Sequence, residues 1–159
     1  MTISLKLFLS FLIFPIGFAA SSANKASVSG SPITVVHMEE EILHFVNIDR
    51  KSKGLKPLQL NDTESSIALQ HSMNMASGKT PFGHEGLEER ARTIRKKIGH
   101  ISTAGENVAS GQMTAREVVD GWLNSPGHRK NIEGDFLLTG IGCVKDKRGM
   151  IYFTQIFTR

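Results

Sequence analysis

Residues Ser102–Ile132 read STAGENVASGQMTAREVVDGWLNSPGHRKNI, and the rest of the chain can be arranged around them. Thr114 is a good helix N-cap, and Glu117 three positions later completes a capping box. Val118, Val119, Trp122 and Leu123 then recur at helical spacing as one buried face, and Pro126 ends that helix. Before the helix stands a Gly105-Glu106-Asn107 loop, and after it Ser125-Pro126-Gly127-His128-Arg129. Glu106 and His128 therefore flank a helix that could fold them back towards each other. A third ionisable residue, His84, arrives from upstream in Phe82-Gly83-His84. One acid and two imidazoles delivered by three loops make either a metal site or a hydrogen-bonded structural knot.

Upstream of this stretch the pattern is helical. Lys6 and the apolar run Leu7–Phe18, closed by small residues, form a secretory signal peptide over residues 1–20, cleaved between Ala19 and Ala23. The run falls short of the roughly 20 apolar residues that a membrane span requires, so no transmembrane segment is expected after cleavage. Residues 21–34 are rich in Ser, Ala and Gly and read as a flexible linker. The folded domain is expected over residues 35–159. It opens with a helix from Val35 to Lys53, acidic in its first turn and basic (Arg50, Lys51, Lys53) in its last, as the helix dipole favours. Gly54 is its stop signal. Leu55–Leu60 is an extended connector, and a second helix runs from Asn61–Thr63 to about Ser77 with His71 on its apolar stripe as a hydrogen-bonded core residue. Gly78–Gly83 is a turn-rich loop that delivers His84. A third helix, Leu87–Ile98, presents Glu88, Glu89, Arg92, Arg95 and Lys96 as a solvated face with Glu88–Arg92 pairing.

Downstream the period changes. Leu138–Lys145 and Met150–Thr158 are β-rich, and Asp146-Lys147-Arg148-Gly149 between them is a hairpin signal. Helices first and strands last predict an α+β fold, with helices packed on a small antiparallel sheet.

Composition narrows the function. The formal charge of +4 becomes +3 once Lys6 leaves with the signal, 18 basic residues against 15 acidic ones. The longest basic run, Arg95-Lys96-Lys97, is too short to indicate nucleic acid. Cys143 is the single cysteine, so no intramolecular disulfide can form, and its place in a strand predicts an inert buried thiol.

Two imidazoles and a carboxylate are one of the standard open zinc sets, leaving a position for water or ligand. Yet His84, Glu106 and His128 lie 22 residues apart twice over, and no His-Glu-x-x-His pattern forces them together. From spacing alone a structural hydrogen-bond cluster is the better reading. Other catalytic patterns are absent. Ser125 sits near His128 without a Gly-x-Ser-x-Gly elbow, and Gly140-x-Gly142 lacks the rest of a dinucleotide loop.

Taken in order, Asn47-x-x-Arg50, Leu58, His71-Ser72, Met75, His84, Gly105-Glu106-Asn107, Trp122, Ser125-Pro126-x-His128-Arg129, Gly140-x-Gly142 and Tyr152-x-x-Gln155-x-Phe157 resemble the CAP superfamily. This is the family of cysteine-rich secretory proteins, antigen 5 and pathogenesis-related proteins, also called the SCP domain. The Trp-Leu-Asn-Ser-Pro-Gly-His-Arg form is similar to its short bacterial branch, which lacks disulfides. The resemblance implies an α-β-α sandwich with a central cleft of two histidines and two glutamates, which in several members binds zinc or another divalent cation. By motif, His84, His128 and Glu106 match three of the four. The second glutamate follows the tryptophan in eukaryotic members, and here that place reads Leu123-Asn124-Ser125.

With the signal peptide, the expectation is a secreted protein, extracellular or periplasmic, and a monomer. Its expected function is that of a binding module whose cation-binding cleft recognises an envelope component, a lipid or a partner protein. The alternative is a metal-assisted, peptidase-like hydrolase using a cleft-bound water, with His84, Glu106 and His128 as Zn²⁺ ligands. A purely structural cluster is the third reading.

Overall fold

Met38, Ile42, Val46 and Arg50 recur every four residues and form the buried stripe of α1 (Met38–Ser52). The computed structural model describes residues 37–159. The expected signal peptide (1–20) and linker (21–34) lie outside the described residues. Arg50 departs from the dipole-complementing role that sequence assigns it. It is 2% exposed and donates to the carbonyls of Lys56 (2.8 Å), Ile132 (2.6 Å), Gly134 (2.9 Å) and Phe136 (3.2 Å). A guanidinium has five N–H donors and no acceptor, so a cage of carbonyls satisfies it without a carboxylate.

After α1, a short strand β1 (Gln59–Leu60) precedes α2 (Asp62–Ala76) and α3 (Leu87–Ile98). The Asn61 side chain caps α2 by accepting from the Glu64 N–H at 3.1 Å. Strand β2 (Ala104–Ser110) follows, then α4 (Ala115–Asn124), α5 (Pro126–Ile132) and the hairpin β3 (Leu138–Lys145) and β4 (Ile151–Thr158). The sheet order is β1-β3-β4-β2. The hairpin and the β2–β4 pair are antiparallel, whereas β1 runs parallel to β3. The expected antiparallel sheet is therefore mixed by two residues of the Leu55–Leu60 connector.

The period of two along β4 separates two cores. Phe153 and Phe157 join α1, α4 and α5 in one cluster, whose centre includes Trp122 and Val118. Ile156 joins Ala68 of α2 with Ala91 and Ile94 of α3 in the other. The result is a sheet covered on both faces, an α+β arrangement in three layers. On the second face α2 approaches β3 very closely. A Cβ on Gly140 would lie 2.1 Å from the Glu64 carbonyl carbon, and one on Gly142 2.1 Å from the Leu69 amide nitrogen. That contact explains the Gly-x-Gly pair, which serves packing and no nucleotide.

Two local readings change. The Gly-Glu-Asn segment is a strand rather than a loop, because β4 offers it a full antiparallel partner from Ala104↔Thr158 to Ser110↔Tyr152. Pro126 ends α4 but also begins α5 at its first position, where its missing N–H costs nothing.

Candidate functional site

Glu106 stands opposite Ile156 in the β2–β4 register, so its side chain shares the face that meets α2 and α3. It is 3% exposed. Arg90 of α3 grips it with two charge-assisted bonds, Nε to Oε2 and Nη2 to Oε1, both 2.7 Å. The third guanidinium nitrogen, Nη1, donates to the Glu85 carbonyl at 2.8 Å and so fixes the loop beside His84. His84 Nδ1 lies 3.0 Å from Glu106 Oε1. A carboxylate accepts, so Nδ1 is the donor, and in the neutral imidazole the lone pair then stands on Nε2. His71, buried as expected, donates from Nε2 to the Gly83 carbonyl at 2.9 Å. Its 3.9 Å separation from Glu106 Oε1 is too long for a hydrogen bond.

The neighbouring residues of β2 face the other way and hold α5. Asn107 Nδ2 donates to the His128 carbonyl at 3.1 Å. Asn131 Nδ2 donates to the Glu106 carbonyl at 3.0 Å and to Asn107 Oδ1 at 2.9 Å. A Cβ on Gly105 would sit 2.9 Å from Asn131 Oδ1, so glycine is what lets α5 close on the strand. Within Gly-Glu-Asn, then, the glycine permits close approach, the glutamate places an anion on one face, and the asparagine clamps α5 on the other. The result places the His84 and His128 rings 6.4 Å apart, centroid to centroid.

Charge states follow from these contacts. Burial pushes the Glu106 carboxyl up, but the His84 hydrogen bond and the Arg90 guanidinium outweigh it and hold the group below its ordinary value. Burial lowers His71, with Glu106 opposing. Burial, and then the proximity of His84, brings His128 down to about 4. At neutral pH the cluster therefore holds a carboxylate paired with Arg90 and, beside it, a neutral His128 imidazole.

The structure brings His84 onto Glu106 and sets His128 beside His84, from a loop, a strand and a helix rather than from three loops. Sequence reasoning missed Arg90, submerged in the charged run of α3. Its position between the buried Leu87 and Ile94 was the available signal, a cation on the apolar stripe. Ser125 Oγ is buried without a hydrogen-bond partner among the described residues, so no Ser–His pair forms. Cys143 is buried, which pushes its thiol up and leaves it unreactive. Among the described residues no three His, Cys, Asp or Glu side chains form a ready metal cage. A separate pocket of about 470 Å³, whose lining includes Ala104, Pro126, Arg129, Asn131 and Phe136, contains none of the three predicted residues.

Residues 43–157 match the cysteine-rich secretory protein family, CAP. The chain belongs to the CAP family. It is 39% identical over 141 residues to YkwD of Bacillus subtilis, covering 86% of this chain and 54% of that protein. The chain thus spans about half the length of that curated relative. Among solved structures, it is similar to an extracellular SCP-domain protein of Bacillus anthracis, with 28% identity, TM-score 0.65 and coverage of 82% and 45%. An outer surface protein of Borrelia burgdorferi shares the fold at 23% identity and TM-score 0.67, over 82% of this chain and 98% of its own. In this CAP domain Glu106, with His84 and Arg90, lies on one face of the edge strand β2, and α5, which carries His128, is held by Asn107 and Asn131 on the other. No helix among the described residues is long and apolar enough to cross a membrane.

Proposed function

We propose that this CAP domain is a secreted binding module. Its cleft takes a divalent cation such as Zn²⁺ between His84 and His128 and recognises an envelope component, a lipid or a partner protein. The observation that carries this reading is the 3.0 Å contact between His84 Nδ1 and Glu106 Oε1. With Nδ1 donating there, Nε2 is the nitrogen that a neutral His84 ring can offer to a metal, beside a His128 kept neutral by burial. The leader expected over residues 1–20, and the likeness to an extracellular SCP-domain protein, support a site outside the cytoplasm. The hydrolase alternative has less support, because a general base must take up a proton, whereas the His84 bond and Arg90 lower the proton affinity of Glu106 and occupy both its oxygens.

Calorimetric Zn²⁺ titration at pH 7.5 tests the reading. The protein should bind one Zn²⁺, and His84→Ala and His128→Ala should each abolish the heat, whereas His100→Ala, an exposed residue outside the cleft, should not. Equal heats in all four proteins would refute the cleft as the cation site.

A further inference from the structure

The matched motif would make Glu106 a metal ligand alongside the two histidines, and the geometry assigns it elsewhere. We propose that Arg90 keeps Glu106 out of any cation's coordination sphere, so that this cleft offers a metal two imidazoles and no carboxylate. Both Glu106 oxygens already accept from Arg90, at 2.7 Å each, and Oε1 also accepts from His84 at 3.0 Å. To reach a metal, the carboxylate would have to give up a bidentate pair whose members are 12% and 0% exposed at their side chains. Breaking one partner out of such a pair leaves a buried charge uncompensated. The guanidinium is not free to turn aside either, since Nη1 is committed to the Glu85 carbonyl. Gly86, at φ 79°, leaves room for it: a Cβ there would meet Nη1 at 3.3 Å.

Glu106 consequently acts at one remove, as a positioning residue that fixes the His84 tautomer. A two-imidazole site leaves a tetrahedral cation two open positions, which suits capture of a ligand's own oxygen or nitrogen donors better than permanent structural metal. The inference rests on the cation reading of the cleft only for which two groups remain as ligands.

The crystal structure of the Zn²⁺-loaded wild-type chain tests it, together with Zn²⁺ titration of Arg90→Gln and Arg90→Lys. In the loaded wild type, Zn²⁺ should sit on His84 and His128 with Glu106 still bound to Arg90, which would support both this inference and the cation reading. A Zn²⁺–Glu106 bond there would overturn the inference and leave the cation cleft standing. Freeing the carboxylate should tighten Zn²⁺ binding about tenfold or more, the scale on which changes around metal ligands act. That gain should vanish in Arg90→Gln combined with Glu106→Gln. If the wild type binds nothing and an Arg90 variant binds through Glu106, the inference holds and the cation reading fails. Should Arg90→Gln not fold, Arg90→Lys keeps a positive charge beside Glu106 but loses the two-pronged grip on its oxygens, and a smaller gain is expected of it. No gain in either variant would overturn the inference, and no binding in any of the proteins would overturn both.

Discussion

Glu64 is a carboxyl with no exposed surface, packed under β3 and β4. Thr158 donates to its Oε1 at 2.6 Å, while Oε2 has no partner among the described residues. Burial drives the group up to about 7, with the Thr158 bond opposing, so the folded protein holds a proton that the unfolded chain releases near 4.5. Stability on this account falls as pH rises from about 4.5 to about 7 and is flat above. His128, lowered to about 4, has the opposite sign, since its contribution is lost as pH falls from about 6.5 towards 4. The two slopes offset each other in the wild type. Glu64→Gln removes one of them, and should gain on the wild type by up to about 3 kcal/mol between pH 4 and pH 8. Urea unfolding at both pH values checks this; a difference that does not change with pH would refute a protonated Glu64. Arg50 is a second buried charge, and Arg50→Met strands the carbonyls of Ile132, Gly134 and Phe136. A loss of about 3 kcal/mol is expected in the same assay, and a loss under about 1 kcal/mol would show that water can replace the guanidinium there.

At the scale of elements, most boundaries were legible because capping and periodicity are local. Thr114 and Glu117 do form the capping box of α4, and Trp122 is 2% exposed with Val118 and Val119 beside it. The strand β2 was not legible. AGENVAS carries little β propensity, and only pairing with β4 makes it a strand. Helix α5 was hidden because proline reads equally as a stop and as a first residue. The tight approach of α2 to β3 is also an element-scale feature, so Gly142→Ala should force α2 away from the sheet and cost about 3 kcal/mol. An unchanged urea midpoint for that variant would mean that α2 packs less tightly than the 2.1 Å clearance implies.

Across the whole molecule, the α+β class was legible in the order of helical and strand patterns, whereas the three layers and the grouping of His84 with Glu106 and His128 were implied only by the family resemblance. What sequence could not show is the partner of each charge, because that depends on which layer a residue faces. Arg90 and Arg92 are two positions apart in α3, yet Arg90 grips Glu106 in the interior and Arg92 pairs with Glu89 at the surface. His84 bonds Glu106 and lies beside His128 because its loop and α5 flank the edge strand β2. Whether this convergence makes a cation-binding cleft is decided most directly at the imidazoles themselves. Nitrogen-15 NMR of the histidine rings should show His84 protonated at Nδ1, with added Zn²⁺ shifting His84 Nε2 and a His128 nitrogen together. Zn²⁺ that leaves both rings unshifted at neutral pH would contradict the account.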